Sequence, residues 1–384
     1  MTRLVGMDDA AAHPTPTLAD LTTFRVGGPV ARLVEADTES ALVEAVSRAD
    51  AAGTPCLVLG GGSNLLASDS PFPGVVVRDL RGEITHSQAQ GAGPICDPVL
   101  VTATAGTPWD ALVAHSVEQG LSGLEALSGI PGSVGAAPVQ NVGAYGAEVA
   151  DTLVHLRAWD RFAERVVTLE AAELDFGYRM SVLKRSLENP SPARGGRLWG
   201  PTGRWAVLEA TFGLAATGHS APIRYAELAR RLGVEVGAVA PSRDVREAVL
   251  ELRASKGMVL DAADHDTWSA GSFFTNPVLD PEAAERLLPE GAPRFPTAHG
   301  QVKTSAAWLI DHAGLPKGWA PESVCDDRGV ARASLSTKHV LALTNRGGAS
   351  AADVEALARA VITGVEDAWG ITLVPEPVAL GITW

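Results

Sequence analysis

The chain has 384 residues, a formal net charge of −14 and 46% hydrophobic residues, enough for two or three domains with a sizeable core. An acidic chain of this size repels nucleic acid and anionic membrane surfaces, so neither is expected as a partner. Its three cysteines, Cys56, Cys96 and Cys325, form neither a disulfide framework nor a zinc site, and no metal is expected.

The N-terminus, MTRLVGMDDAAAHPTPTL, lacks a basic-then-apolar leader and no long apolar run follows it, which places the protein in the cytoplasm. Residues 1–18 read as a disordered lead. TTFRVGGPVARLVEA then predicts a strand interrupted at Gly27-Gly28-Pro29. Asp37 and Thr38 cap a helix whose Leu42, Val46 and Ala49 share one face. That helix ends near Gly53, and Leu57-Val58-Leu59 follows as a buried strand running into Gly60-Gly61-Gly62-Ser63-Asn64. Successive N–H groups in such a loop form a nest for an anion such as a pyrophosphate, with Ser63 and Asn64 as further donors. A simple turn is equally compatible with these residues. No lysine follows and there is no GxGxxG, so neither usual nucleotide fold is supported.

Residues 74–106 are strand-rich, and Thr107-Pro108-Trp109-Asp110 opens a helix that Gly120 stops. Leu127–Gly146, LSGIPGSVGAAPVQNVGAYG, holds five glycines, two prolines and no charge. Prolines and glycines exclude a transmembrane helix here. Glycine backbone approaches a ligand closely, so the stretch reads as a neutral cradle for something flat and polar; a buried glycine-rich turn packing two helices is the other reading. Residues 150–178 alternate apolar and polar side chains, as in an antiparallel sheet. Pro190–Gly203 is a Pro/Gly/Arg-rich break. Beyond Pro222, Ser242 caps a helix with Val245, Val249 and Leu252 on its apolar face, ending at Lys256-Gly257. A helix over 304–313 carries Ala307, Leu309 and Ile310. The capping box Ser350-x-x-Asp353 opens a last helix that buries Val354, Leu357, Val361 and Val365, and ITLVPEPVALGITW closes the chain as a strand.

Six stretches, TTFRVGG, LGGGSNLL, GLEALSGIPGSVGAAPVQNVGAYG, FGYRMSVLK, AGSFFTNP and LVPEP, occur in the order seen in the UDP-N-acetylenolpyruvoylglucosamine reductase family, which the chain resembles from about residue 20 to residue 381. The resemblance implies an α+β fold. Two α/β FAD-binding subdomains of the vanillyl-alcohol-oxidase type would span 19–80 and 81–214. A C-terminal α+β substrate-binding domain would span 219–384, its final strand returning to the active site. Under it, Gly60, Gly61, Gly62, Ser63, Asn64 and Leu65 wrap the FAD pyrophosphate. Ser128, Gly129, Gly132, Ser133, Gly135, Asn141, Gly143, Ala144, Tyr145 and Gly146 line the rest of the cofactor. None of the nine histidines lies in either glycine-rich loop, so FAD is expected without a covalent link.

The family's reaction takes a hydride from NADPH onto FAD and passes it to the enolpyruvyl group of a UDP-sugar, giving UDP-N-acetylmuramate for peptidoglycan. Hydride addition to an enol ether beside a carboxylate leaves negative charge, so a proton donor and a carboxylate anchor are needed. The resemblance assigns the proton to Ser272, the carboxylate to Arg179, whose fork suits it, and enolate stabilisation or proton delivery to Glu376. It assigns Tyr178, Tyr225, Lys256 and Asn276 to the UDP-sugar, with Tyr225 marking the subtype that closes a tyrosine-bearing loop over the nucleotide. Taken alone, Arg179 reads first as a sheet-edge ion pair and Glu376 as an ordinary surface carboxylate, and Ser272 reads also as a helix cap. Three departures stand out: a longer segment between Lys256 and Ser272, Thr275 where lysine is usual, and Ala307 where glycine is usual. The alternative function is a carbohydrate-acting flavin oxidase of the same fold, which needs no proton from Ser272. A non-enzymatic nucleotide-binding protein would need none of the three residues. A monomer is expected.

Overall fold

The computed structural model describes residues 3–5, 15–88, 98–188, 199–297 and 299–384. Most of the expected lead, Cys96 and the larger part of the 190–203 break lie outside them. Contacts divide the chain into two units: Met1–Pro16, Val30–Gly62 and Phe72–Ala254, and Thr17–Pro29, Ser63–Pro71 and Ser255–Trp384.

In the first unit, Val30–Ala36, Phe72–Asp79 and Cys56–Leu59 lie parallel in that order, with Arg3–Val5 added antiparallel at the edge. That edge strand falls within the stretch expected as a disordered lead. The helix Glu39–Ala51 makes the crossover that a parallel pair requires. Thr38 caps it, accepting from Ala41 N at 3.2 Å, and Leu42, Val46 and Ala49 are its buried face, as the spacing predicts.

A second, antiparallel sheet runs Arg165–Glu170, Leu153–Asp160, Trp205–Leu214, Val99–Thr104, Ile84–Gln88. Its strand Trp205–Leu214 is buried almost throughout because both faces are covered. Ala206 and Leu208 join the cluster around Leu42 and Val46; Val207, Phe212 and Leu214 join Trp109 and Leu112 of the helix Trp109–Glu118. Fully burying a side chain such as Phe212 contributes roughly 1.5–3 kcal/mol.

The helices Ala226–Leu232 and Ser242–Ser255 also belong to this unit, up to Ala254. Val245 and Val249 of the second helix pack on Ile223, Leu228 and Ala229, with Tyr145 against the cluster. The contact division falls at 254/255, because this apolar stripe is satisfied inside the first unit. Ser242 is the first helical residue and buried, whereas the sequence reads it as the cap.

The second unit is built on the helix Ala351–Trp369, opened by the expected Ser350/Asp353 capping box. Its core takes in Phe24, Val26, Leu66, Phe273 and Phe274 besides Val354, Leu357, Val361 and Val365. Two early pieces of chain are thus part of the C-terminal core. Asn345 Nδ2 donates to Phe24 O at 3.0 Å and Arg25 O at 3.3 Å, and Thr23 Oγ1 donates to Ser269 O at 2.6 Å. The strand expected from Thr22 begins only at Val30: a Cβ on Gly28 would lie 2.2 Å from Asp69 O, so this stretch is a close backbone packing and not a ladder. The closing segment is strand only over Val378–Leu380, parallel to Leu65–Ala67. Pro375 and Pro377 just before it have no N–H for a ladder. Among the described residues, no helix is long and apolar enough to cross a membrane.

Candidate active site

The strand Cys56–Leu59 delivers the first glycine loop. A Cβ on Gly60 would lie 2.5 Å from Ser133 Oγ, and one on Gly61 would lie 2.7 Å from Gly132 Cα and 3.1 Å from Gly132 N. The two glycine-rich loops therefore meet backbone to backbone, and the absent side chain at Gly61 makes room for Gly132. Gly62 turns the chain with φ +61°. From Ser63 the loop belongs to the second unit, where Asn64 O accepts from Val378 N at 3.0 Å and Leu65 is buried.

The second glycine loop is fastened to the start of the helix Trp109–Glu118. Trp109 Nε1 donates to Leu127 O at 3.1 Å, Trp109 N donates to Gly132 O at 3.0 Å and Val134 N donates to Thr107 O at 2.9 Å. Gly129 N donates to Asp110 Oδ1 at 2.6 Å. A Cβ on Gly135 would sit 2.5 Å from Ala105 Cβ. Ser128 is fully buried and its hydroxyl donates to Glu125 O at 2.7 Å. Asn141 is likewise buried: Nδ2 donates to Glu148 Oε2 at 2.7 Å and Oδ1 accepts from Ala150 N at 3.0 Å. Both are hydrogen-bonded within the surrounding loops. Gly129–Gly132, Gly135–Ala136 and Gly143–Gly146 are partly exposed. This uncharged, donor-rich surface fits the flat, polar rings and diphosphate of a flavin nucleotide.

Three non-glycine residues of the site take left-handed backbone: Asn141 (φ 47°), Tyr145 (φ 50°) and Arg179 (φ 53°). Each costs roughly 1–2 kcal/mol, strain that tends to collect where geometry serves function. Arg179 Nη2 donates to Gly143 O at 2.8 Å and Nη1 to Asn141 O at 3.4 Å, with the guanidinium 5.5 Å from the Tyr178 ring. It stands outside any strand, in a turn that the isolated Gly177/Met180 bridge closes. Tyr145 meets Tyr225 edge-on, centroids 5.6 Å apart. Burial pushes the Tyr145 phenol up to about 12, so it stays neutral at working pH. Tyr225 starts the helix Ala226–Leu232 and is 45% exposed.

In the second unit, Gly271 (φ +73°) turns the chain into Ser272, and buried Phe273 and Phe274 anchor it. Phe273 N donates to Leu341 O at 2.8 Å, and Phe273 O accepts from Glu376 N at 2.8 Å. Phe274 bridges Pro375, and Thr275 N donates to Val374 O at 3.0 Å. Ser272 and Glu376 are therefore carried on adjoining segments. Ser272 caps no helix: the next one is Pro281–Leu287. Asn276 Oδ1 accepts from Ala306 N at 3.0 Å, at the head of the helix Ala306–His312. The longer segment after Lys256 is pinned by buried Asp266, which accepts from Thr337 N at 2.8 Å and Arg346 Nη1 at 2.9 Å. Arg179 belongs to the first unit, and Ser272 and Glu376 to the second.

Sequence reasoning took Asp110 only as an acidic residue in a first helical turn and passed over Arg246 and Arg253. Arg246 Nη1 and Nη2 donate to Asp110 Oδ1 and Oδ2 at 2.6 and 2.9 Å. Burial pulls the Arg253 guanidinium down, opposed by the nearby Tyr145 and Asp110. The available signal was the spacing: Arg246 and Arg253 stand seven apart, on one helix face.

Two family models match the chain, an FAD binding domain over residues 30–169 and a UDP-N-acetylenolpyruvoylglucosamine reductase C-terminal domain over residues 263–380. A UDP-N-acetylenolpyruvoylglucosamine reductase from Cutibacterium acnes is 51% identical over 95% of this chain and 89% of its own length. One from Nocardia farcinica is 52% identical over 97% of this chain and 91% of its own length. Among solved structures, the Thermus caldophilus UDP-N-acetylenolpyruvylglucosamine reductase has 26% identity and a TM-score of 0.59, covering 99% of this chain and 100% of that one.

Proposed function

The chain belongs to the UDP-N-acetylenolpyruvoylglucosamine reductase family, and from that premise we propose how its own residues divide the reaction. It is an FAD-dependent oxidoreductase that uses NADPH to reduce enolpyruvyl-UDP-N-acetylglucosamine to UDP-N-acetylmuramate, a peptidoglycan precursor. When bound, FAD supplies the two-electron chemistry that links NADPH to the enol ether.

Gly60–Gly62 and the partly exposed stretches Gly129–Gly132 and Gly143–Gly146 hold the cofactor, without a covalent bond. Arg179, held at the Gly143 and Asn141 carbonyls, offers its guanidinium fork to the substrate carboxylate, a charge-assisted partner. Its fork draws off the negative charge that builds on the carboxylate as the enol ether is reduced. The Ser272 hydroxyl gives its proton to the substrate carbon that becomes basic in that step; a serine is a weak acid, so placement must do the work. Glu376 assists from the adjoining segment. Tyr225, resting on Tyr145, closes over the nucleotide, and Lys256 and Asn276 bind the UDP-sugar.

The observation supporting the Ser272–Glu376 assignment most directly is the bond from Glu376 N to Phe273 O. The test is anaerobic stopped-flow absorbance. NADPH should bleach the yellow protein, and enolpyruvyl-UDP-N-acetylglucosamine should restore the colour in a single phase. Colour restored by oxygen but not by the sugar nucleotide would make it an oxidase instead.

A further inference from the structure

The loop carrying Leu127–Val134 has four attachments to the start of the helix Trp109–Glu118. Three are made by Trp109 and the Thr107 backbone. The fourth, Asp110 Oδ1 to Gly129 N at 2.6 Å, reaches further, because Arg246 of the helix Ser242–Ser255 grips the same carboxylate through both terminal nitrogens at 2.6 and 2.9 Å. Burial would raise the Asp110 pKa, but the Arg246 and Gly129 hydrogen bonds outweigh it and hold the carboxyl below its usual range. Gly129 itself is left-handed, φ +69°, a conformation that must be held if its peptide is to face one way. The same helix packs Val245 and Val249 into the cluster that Tyr145 joins, and its Arg253 acts on Tyr145 and Asp110. Residues 170–262 are covered by neither matching family model, yet this helix braces the loop that the FAD model does include.

We propose that Asp110 and Arg246 are positioning residues for the flavin site: together they fix the Gly129 turn in its FAD-binding form and tie it to the helix Ser242–Ser255. The proposal rests on the reading of Ser128–Gly146 as the FAD loop. A structural ion pair of this kind could be replaced by apolar residues with little loss. A positioning pair cannot, because the Gly129 N–H needs a fixed acceptor.

The test is a double-mutant cycle on the holoenzyme with Asp110→Asn, Arg246→Met and the double variant, plus Arg246→Lys. FAD release on dilution is read as recovered flavin fluorescence, with Tm measured alongside. Each single variant should weaken FAD binding by about 10- to 100-fold, the worth of one charge-assisted hydrogen bond. The double variant should be no weaker than the worse single one, since the residues act as a unit. Arg246→Lys should recover part of the loss, and the visible flavin band should shift in step with affinity. Wild-type FAD affinity and an unchanged band in the variants, with only Tm lowered, overturn the proposal while leaving the FAD reading intact. A wild-type protein that binds no FAD overturns both. Asp110→Asn keeps the shape of the side chain, so a folded variant is available if Arg246→Met does not fold.

Discussion

Glu376 and Phe273 share one backbone hydrogen bond, from Glu376 N to Phe273 O at 2.8 Å, which sets Glu376 opposite Phe273, one position along from Ser272. Phe273 is fully buried, edge-on to Phe24 at 6.1 Å, so the register is anchored in the core of the second unit and not in a surface loop. A carboxylate between two prolines gains a fixed address from this arrangement, since Pro375 and Pro377 restrict the backbone on either side.

Ser272→Ala separates proton donation from a structural role. NADPH should bleach the flavin at nearly the normal rate, because no acid is needed at that stage. Recolouring by the enolpyruvyl substrate should slow by roughly 10²–10⁴-fold, the range for losing a general acid. Ser272→Cys should keep more activity, as a thiol still donates. Similar slowing in both stopped-flow phases would remove Ser272 from the chemistry.

Gly61→Ala should empty the flavin site through packing. Its Cβ would sit 2.7 Å from Gly132 Cα, and backbone cannot yield as a flexible side chain can, so the two loops must part. Both the flavin-to-protein ratio and Tm should drop. Gly62→Ala adds the left-handed penalty at φ +61°, roughly 1–2 kcal/mol, and should lower Tm. Full flavin occupancy in Gly61→Ala would contradict the close approach.

Tyr225→Phe keeps the edge-on contact with Tyr145 but loses the hydroxyl. Enolpyruvyl-substrate KM should rise by about 10- to 100-fold if that hydroxyl meets a charged phosphate, while flavin bleaching by NADPH stays near normal. An unchanged KM would leave Tyr225 as a packing residue.

Acid sensitivity of the second unit should trace to Asp266. Burial opposes its ionisation, but Thr337 and Arg346 outweigh burial and lower its pKa below 3.8. A folded pKa below the unfolded one means the stabilisation is fully present above 3.8 and is lost as pH falls through the lower, folded value. Asp266→Asn should lower urea stability at neutral pH and flatten the decline below 3.8. An unaltered acid limb would assign that limb to other carboxylates, such as Asp353 held by Arg332.

Local signals carried most of the element assignments. The Ser350/Asp353 box, the Leu42–Val46–Ala49 stripe and the glycine at 120 each depend on neighbours within one or two turns, and each appears as read. What escaped the sequence was set by distant partners. Nothing near Phe24 or Leu66 announces that they fill a core with Val354 and Leu357. Asp110 looks like any acidic first-turn residue until Arg246 is seen against it. Gly61 reads from sequence as part of an anion nest, and nothing there reveals that the Gly132 backbone stands beside it. Ser272 after a glycine resembles a cap, and only the absence of a helix before Pro281 removes that reading.

The three-piece construction of the second unit bears on synthesis at the ribosome. Phe24 emerges early, yet its carbonyl awaits Asn345, 321 positions later, and at about 5–20 residues per second that is a delay of roughly 15–60 s. Through this interval Phe24, Val26 and Leu66 are nascent apolar side chains without a core. A bystander chaperone has its clearest reason to engage there, and the Thr17–Pro29 segment is where premature release would be read as aggregation.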